Sequence, residues 1–124
     1  MRKKRISNDN LDKCLTSSIN QIREYFTNQR RTFDIKLEMP MPPFYSKVLK
    51  EVRNIPYGEV RSYKDIASKV GSPNAYRATG TANSKNMIPI IIPCHRVIGK
   101  NGDLGGYGGG LKIKKYLLKM EGVI

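Results

Sequence analysis

Cys94 and His95 stand side by side at the end of an apolar segment that contains two prolines. The segment spans residues 88–93 (IPIIIP), and His95 is the single histidine of the chain. A thiol becomes a strong nucleophile once its proton is removed, and histidine is the side chain that most often removes it near neutral pH. The pair therefore indicates nucleophilic chemistry at sulfur. A cysteine that ends an apolar run is also typical of a buried, unreactive core residue, so the other motifs must decide between the two interpretations.

The composition favours a polyanionic partner. Lys and Arg number 23 against 10 Asp and Glu, which gives a formal net charge of +13 in 124 residues. A chain of this length forms one modest domain and an appendage, and so much positive charge predicts binding to nucleic acid. A solvated basic surface, with residues 2–5 (RKKR) as a tail, is the alternative.

The same sequence argues against several other classes of protein and site. The longest apolar run, residues 87–94, is far shorter than the ~20 residues that span a bilayer. Polar residues follow the basic start, so no signal peptide is predicted, and we expect a cytoplasmic protein with Cys14 and Cys94 reduced. One histidine and two cysteines cannot supply the four nitrogen or sulfur ligands of a structural zinc site within one chain. We therefore expect no metal and no cofactor.

The N-terminal region predicts an amphipathic helix followed by a linker. Cys14 lies beside the apolar stripe of this helix and is assigned a packing role. The proline-rich residues 39–43 (MPMPP) interrupt regular structure and predict a linker. We expect residues 1–38 to form a basic tail and helix, and residues 44–124 to form a second domain. The stripe consists of Leu11, Leu15, Ile19, Ile22 and Phe26.

The first part of this second domain predicts a helix-turn-helix. A helical pattern restarts at Phe44 and ends before Pro56. Ser62 and Asp65 then resemble a capping box that starts a short helix near residue 63 and lets it run to about residue 70. A second helix is expected over about residues 75–84. Two short helices joined by a glycine-containing turn are typical of a helix-turn-helix.

The second of these helices is built mostly from small residues. A glycine in a helix costs about 1 kcal/mol relative to alanine, so a close approach by another group is expected to offset it. That group is either a neighbouring helix or nucleic acid, and both interpretations stay open. Small side chains cannot make the bidentate contacts that read bases in the major groove, which favours the minor groove. The small residues are Ala75, Ala78, Gly80, Thr81, Ala82 and Ser84.

The last segment combines a glycine-rich loop with a helix. Residues 104–110 (LGGYGGG) lack the Lys-Ser/Thr ending of a phosphate-binding P-loop. A loop whose backbone approaches a flat ligand closely fits this composition better. A terminal helix is predicted to carry Leu111, Tyr116, Leu117 and Met120, with Glu121 at its end.

Together these motifs resemble the O6-alkylguanine-DNA alkyltransferases, which repair alkylated guanine in DNA. The resemblance covers about residues 42–122 and implies a mainly α fold with short β or extended segments. In that fold, a winged-helix-like helix-turn-helix domain carries the active-site cysteine. The matching segments, in the family's order, are Pro93-Cys94-His95-Arg96-Val97, Tyr57-Gly58-Glu59-Val60, Ser62-Tyr63, Arg77-Ala78, Asn86, Gly109-Gly110-Leu111 and Glu121-Gly122.

The resemblance implies a catalytic role for five residues. Cys94 accepts the alkyl group from O6 of guanine, or from O4 of thymine, and is consumed in a single turnover. His95 acts as its base through a bridging water, since neighbouring residues of an extended chain point to opposite sides. Glu121 orients His95. Asn86 braces the turn that carries the nucleophile, and Tyr63 donates a hydrogen bond to the departing base.

The resemblance also implies a partner, which is duplex DNA that contains O6-alkylguanine and is bound by a monomer in the minor groove. Arg77 inserts where the flipped nucleotide had been. Further expected DNA contacts are Tyr63, Ala78, Thr81, Ala82 and Arg96. The expected pocket for the base consists of Pro93, Val97, Tyr107, Gly108 and Lys114. The carbonyls of Cys94 and Val97 are expected to read the guanine amino group.

Two other functions compete with alkyl transfer. One is a non-enzymatic damage sensor, like the alkyltransferase-like proteins, which bind the lesion and recruit other repair factors. Those proteins lack the cysteine, so Cys94 argues against this alternative, whereas the short N-terminal region argues for it. The other is a plain helix-turn-helix regulator, in which Cys94 is a core residue.

Overall fold

The computed structural model describes residues 8–37, 40–99, 102–105 and 110–124, and the side chains of the first range from Lys13 onward. The chain divides into two units, residues 1–37 and residues 38–124. All the groups of the candidate site that the structure describes lie in the second unit.

The first unit contains helix α1 (Asn8–Phe26) and the segment that follows it. Tyr25 is its buried aromatic residue, with ring contacts to Phe26 and Phe33 at centroid distances of 5.2 and 5.6 Å. Gln21 anchors the returning segment, because its side-chain amide donates to the carbonyl of Asp34 at 3.2 Å and accepts from the Asp34 amide at 2.9 Å. The buried face of α1 is therefore the one that carries Gln21 and Tyr25.

This arrangement corrects the packing expected for α1. Leu15 and Ile19 of the predicted apolar stripe are 52% and 54% exposed, and Phe26 is also exposed. Cys14 is exposed as well, so it is not the packing residue that the spacing suggested. The reason is tertiary, since the segment after α1 folds onto a different face from the one with the most apolar residues.

The second unit begins with helix α2 (Pro43–Arg53). Pro43 occupies its first turn, so the helix starts inside the expected linker. Proline is well suited to this position because its fixed φ matches a helix and its missing N–H has no partner to lose there. The buried face of α2 carries Val48, Leu49 and Val52, which follow helical spacing.

Two short parallel strands connect the middle of the second unit to its cysteine segment. Strand β1 (Arg61–Ser62) pairs with strand β2 (Val97–Ile98) in the register Arg61 to Val97 and Ser62 to Ile98. Because β1 runs directly into the next helix, this pairing brings Tyr63 close to the residues that follow Cys94. The small sheet therefore positions parts of the site that lie more than thirty residues apart.

The predicted helix-turn-helix is present as α3 (Tyr63–Lys69) and α4 (Tyr76–Ser84). The capping box is complete, since the Asp65 amide donates to the Ser62 hydroxyl and the Ser62 amide donates to the Asp65 carboxylate, both at 3.0 Å. The turn between the helices uses Gly71, whose φ is +81°. Glycine adopts this left-handed conformation at little cost.

The terminal helix is α5 (Leu111–Met120), and it buries a different set of residues from the one expected. Lys114, Leu117 and Leu118 face the core, whereas Leu111 and Tyr116 are 46% and 60% exposed. Glu121 caps the C-terminal end and continues the buried face, because residues 114, 117, 118 and 121 follow helical spacing. A lysine and a glutamate thus occupy core positions.

The fold class is the predicted one, mainly helical with a short sheet and a helix-turn-helix. Within the described residues, no helix is both long and apolar enough to cross a membrane. The described residues also contain no cluster of three or more His, Cys, Asp and Glu side chains arranged to hold a metal ion.

We predict that Ser62→Ala lowers the free energy of unfolding by about 1 kcal/mol, because the first turn of α3 loses its side-chain cap. Urea denaturation followed by circular dichroism measures the change. Ser68→Ala is the matched control, because Ser68 is exposed on the same helix and alanine is the better helix former. Equal effects of the two substitutions would show that the capping box does not stabilise α3.

Candidate active site

The nucleophile segment forms a single turn of 3₁₀ helix, Cys94–Arg96, rather than the extended chain that was expected. Pro93 caps it, and the Arg96 amide donates to the Pro93 carbonyl at 2.9 Å. Cys94, His95 and Arg96 are all buried. Successive side chains of a 3₁₀ helix point about 120° apart. The thiol and the imidazole therefore point in different directions, which is the outcome that an extended chain also predicted.

His95 is held by a buried carboxylate. Its Nε2 lies 2.7 Å from Oε2 of Glu121, and both side chains are 0% exposed. Two contacts with the Arg96 guanidinium favour the ionised form of Glu121, and an ionised carboxylate only accepts hydrogen bonds. The hydrogen is therefore assigned to Nε2, and in the neutral imidazole a lone pair remains on Nδ1. The predicted pairing of His95 with Glu121 is present in this geometry.

Arg96 donates hydrogen bonds to both oxygens of the same carboxylate. Its Nε donates to Oε1 of Glu121 at 2.7 Å, and one terminal nitrogen donates to Oε2 at 3.0 Å. The second terminal nitrogen donates to the carbonyl of Ile55 at 2.7 Å, and the ring of Tyr57 lies 5.5 Å from the guanidinium. Arg96 is 5% exposed, so the structure removes it from the expected DNA contacts and gives it an interior role.

Asn86 braces the apolar segment before the cysteine. Its Nδ2 donates to the carbonyl of Ile92 at 2.8 Å, and its Oδ1 accepts from the amide of Ile88 at 3.0 Å. The turn between them contains Ile90 at φ +76°, a left-handed conformation that costs a non-glycine residue about 1–2 kcal/mol. Bonds at both ends of this strained turn hold it in place, which fits the predicted bracing role of Asn86.

Asn83 is a residue that the sequence analysis missed. It lies near the end of α4, is 6% exposed, and donates from Nδ2 to the carbonyl of Cys94 at 3.2 Å. Its position on the helix was the available signal, because residues 79, 82 and 83 share one face of α4 by helical spacing. Asn83 links the second helix of the helix-turn-helix directly to the nucleophile.

Tyr63 begins α3 with its ring between two glycines. A methyl group added at Gly80 would lie 3.7 Å from the ring, which is ordinary contact, whereas one added at Gly105 would lie 2.9 Å from the hydroxyl. Burial, with smaller contributions from the negative charges of Asp103 and Cys94, raises the pKa of Tyr63 above 10.0. The phenol therefore stays protonated at neutral pH and available as a hydrogen-bond donor.

Lys114 ties the loop after β2 to α5. It is fully buried, and its ammonium donates to the carbonyls of Val97, at 2.7 Å, and Leu104. Burial lowers the pKa of Lys114, and the negative charges of Cys94 and Asp103 oppose that shift. The Val97 carbonyl, expected to read the guanine amino group, thus already accepts a hydrogen bond from Lys114.

The expected DNA contacts on α4 are divided between two faces. Arg77, Ala78 and Thr81 are exposed on one face. Ala82 is 0% exposed and packs into the core, so the structure removes it from that set. Gly80 lies against the ring of Tyr63, so the group that approaches this glycine closely is a side chain of α3.

The remaining pocket residues have mixed outcomes. Pro93 and Val97 are buried and belong to the same segment as Cys94, and their contact with a base stays a prediction. Tyr107 and Gly108 lie outside the described residues. The structure thus brings together a buried thiol, an imidazole paired with a carboxylate, and a protonated phenol. This set can deprotonate a nucleophile and donate a hydrogen bond to a leaving group.

Comparison with known proteins points to the family that the sequence motifs resemble. The model of the family described as 6-O-methylguanine DNA methyltransferase, DNA binding domain, matches residues 43–123. The methylated-DNA–protein-cysteine methyltransferase of Methanosarcina barkeri is 50% identical over 109 residues, which cover 88% of this chain and 69% of that protein. The constitutive enzyme of the same name from Bacillus subtilis is 51% identical over 108 residues, covering 86% and 66%.

A solved structure extends the likeness to three dimensions. The crystal structure of Mycobacterium tuberculosis OGT in complex with DNA superimposes with a TM-score of 0.84 at 46% identity, covering 86% of this chain and 66% of that one. The chain thus spans between 66% and 69% of the length of these relatives. With a family match over most of its length and an active-site segment of matching chemistry, the chain belongs to the 6-O-methylguanine DNA methyltransferase family.

Proposed function

We propose that the protein repairs alkylated DNA by transferring the alkyl group from O6 of guanine to its own Cys94, once per molecule. The observation that carries this proposal is the buried chain of contacts from Glu121 to His95, with Cys94 as the adjacent residue. A core cysteine in a DNA-binding regulator has no need of an oriented imidazole beside it. The relatives' names, which specify a protein cysteine as acceptor, support the same reaction.

The chemical step is a displacement at carbon. The thiolate of Cys94 forms a bond to the alkyl carbon while the bond from that carbon to O6 breaks, and its electrons pass to the guanine. Negative charge then develops on the base, and a hydrogen bond from the protonated Tyr63 stabilises this charge more in the transition state than in the ground state. His95, oriented by Glu121, receives the proton of the thiol through a water molecule.

The product explains a single turnover. Transfer leaves a thioether at Cys94, and none of the side chains gathered at the site has the chemistry to cleave a bond between sulfur and an alkyl carbon. The protein is therefore consumed by the reaction. We infer that the proposed reaction takes place inside the cell, because its acceptor is a reduced thiol and its substrate is DNA.

Access to the base requires DNA binding and base flipping. The net charge of +13 supplies attraction to phosphates, and the exposed face of α4 offers small side chains beside Arg77. We infer that a monomer lays this face in the minor groove and that Arg77 fills the space of the flipped nucleotide. Flipping costs a few kcal/mol, which such an insertion offsets in part.

Cys94→Ala is expected to abolish alkyl transfer and to leave affinity for the lesion nearly unchanged. Intact-protein mass spectrometry after incubation with duplex DNA containing O6-methylguanine measures the transfer, with one methyl group per molecule expected on Cys94 of the wild type. Cys14→Ala is the control, because Cys14 is exposed and lies in the other unit. Tight lesion binding by the wild type without any mass change would instead favour the damage-sensor function.

Glu121→Gln is expected to slow alkyl transfer by about 100-fold, because His95 loses the charge that orients it and stabilises its protonated form. It should also cost about 3 kcal/mol or more in stability, since Arg96 stays buried without its counter-ion. Single-turnover kinetics and urea denaturation measure the two effects.

The control for that substitution is Glu59→Gln, which breaks an exposed ion pair with Arg61 at 3.1 Å. Exposed pairs contribute less than about 1 kcal/mol, so little change is expected in either measurement. Transfer at the wild-type rate by Glu121→Gln would mean that the carboxylate charge has no part in the reaction.

Gly105→Ala is expected to slow transfer about tenfold or more by displacing the hydroxyl of Tyr63, which lies 2.9 Å from the added methyl group. Gly102→Ala is a matched control, since its φ of +80° imposes similar backbone strain but nothing lies within 4 Å of the new methyl group. Both variants should lose about 1 kcal/mol of stability. Only Gly105→Ala should lose transfer rate at saturating DNA, and equal rates would exclude a role for this contact.

A further inference from the structure

Two buried polar atoms near Cys94 lack a hydrogen-bond partner among the described residues. They are Oδ1 of Asn83 and Nδ1 of His95. Their side chains are 6% and 0% exposed, so bulk water does not reach them. Buried polar groups in folded proteins are nearly always paired, with protein or with an ordered water, and an exception requires an explanation.

Both atoms are hydrogen-bond acceptors. The amide of Asn83 has its orientation determined by Cys94, because Nδ2 must face the carbonyl that it donates to at 3.2 Å, which leaves Oδ1 on the other side. The imidazole of His95 has its tautomer determined by Glu121, because the hydrogen on Nε2 points to the carboxylate at 2.7 Å. Neither acceptor can satisfy the other, whereas a single donor with two hydrogens can satisfy both.

The two acceptors flank the same residue. Asn83 is bonded to the backbone of Cys94, and His95 is the next residue along the turn. A water molecule has two hydrogens for these acceptors and a lone pair that accepts from the thiol. Three polar neighbours are the usual number for a buried water.

We propose that Asn83 is a positioning residue that holds a buried water molecule between itself, His95 and the thiol of Cys94. This inference rests on the proposed alkyl transfer, and it adds the group that orients the proton relay. When the thiol ionises, its S–H bond breaks as the water gains that proton, and the water gives one of its own protons to Nδ1. Asn83 keeps the second hydrogen of the water away from this path, so a lone pair faces the sulfur.

Helix α4 then has two roles, one for each of its faces. Its exposed face carries the expected DNA contacts, and its buried face ends in Asn83. A shift of α4 on DNA therefore acts directly on the Cys94 carbonyl and on the water. Asn86 bonds to the chain before the cysteine, at Ile88 and Ile92, so the two asparagines act on different segments.

The test compares Asn83→Leu, which has similar volume and no polar atoms, with Thr79→Val. Thr79 is buried on the same face of α4, but its hydroxyl donates to the Ala75 carbonyl within the helix and does not contact Cys94. The first measurement is the rate at which iodoacetamide alkylates Cys94, as a function of pH, in a Cys14→Ser background without DNA. The second is single-turnover methyl transfer from duplex DNA at saturating concentration.

We expect Asn83→Leu to slow both reactions about tenfold or more at neutral pH, with unchanged DNA affinity, whereas Thr79→Val leaves both rates unchanged. The difference in the iodoacetamide reaction should vanish above about pH 8.5, where thiols ionise without help. The double variant Asn83→Leu/His95→Phe should be no slower than His95→Phe alone, because both residues act through the same water.

Three results would overturn the proposal. They are a rate unchanged in Asn83→Leu, a loss that is the same at every pH, and additive losses in the double variant. If Asn83→Leu does not fold, a high-resolution crystal structure of the wild type decides, by the presence or absence of a water within about 3.2 Å of both Oδ1 and Nδ1. The iodoacetamide reaction needs no DNA, so a wild type that transfers no methyl group would refute the proposed function and still leave this inference open to its own test.

Discussion

The buried carboxylate of Glu121 is the group on which the rest of the site depends. An anion whose side chain is 0% exposed is stable in a protein interior when charged or hydrogen-bonding groups satisfy both of its oxygens. Arg96 and His95 do so at distances of 2.7 to 3.0 Å. Because Arg96 also bonds to Ile55, this requirement brings the end of α5, the cysteine turn and the chain after α2 to one point. The geometry of the nucleophile follows from satisfying one buried charge.

The second constraint is backbone anchoring of the nucleophile segment. Asn86, Asn83 and Lys114 bond to the carbonyls of Ile92, Cys94 and Val97, so three successive points of the segment are held by side chains of other elements. Carbonyls that accept from fixed donors cannot rotate freely, and the thiol between them is placed with little freedom. Such preorganisation lowers the entropy that the reaction must lose at the moment of attack.

The surroundings of the polar groups determine their protonation and stabilise their charges. Burial keeps the phenol of Tyr63 protonated, and burial of Lys114 is offset by two carbonyls and by nearby negative charge. The exposed face of α4 carries Arg77 in a protein with net charge +13, whereas its other face is part of the core. The proposed DNA contacts and the hydrogen bond from Asn83 to the Cys94 carbonyl thus lie on opposite faces of one short helix.

The sequence by itself determined the local features. The capping box at Ser62, the glycine turn after α3 and the start of α2 at a proline depend on neighbouring residues. The sequence also places a histidine directly after the cysteine, whereas its orientation by Glu121 is tertiary. Tertiary structure alone decided that Arg96 faces inward, that Lys114 and Asn83 occupy core positions, and that Leu15 and Cys14 of α1 are exposed. The physical reason is that sequence spacing shows which residues share a face, whereas the groups that another element presents to that face decide whether a charge can be buried there.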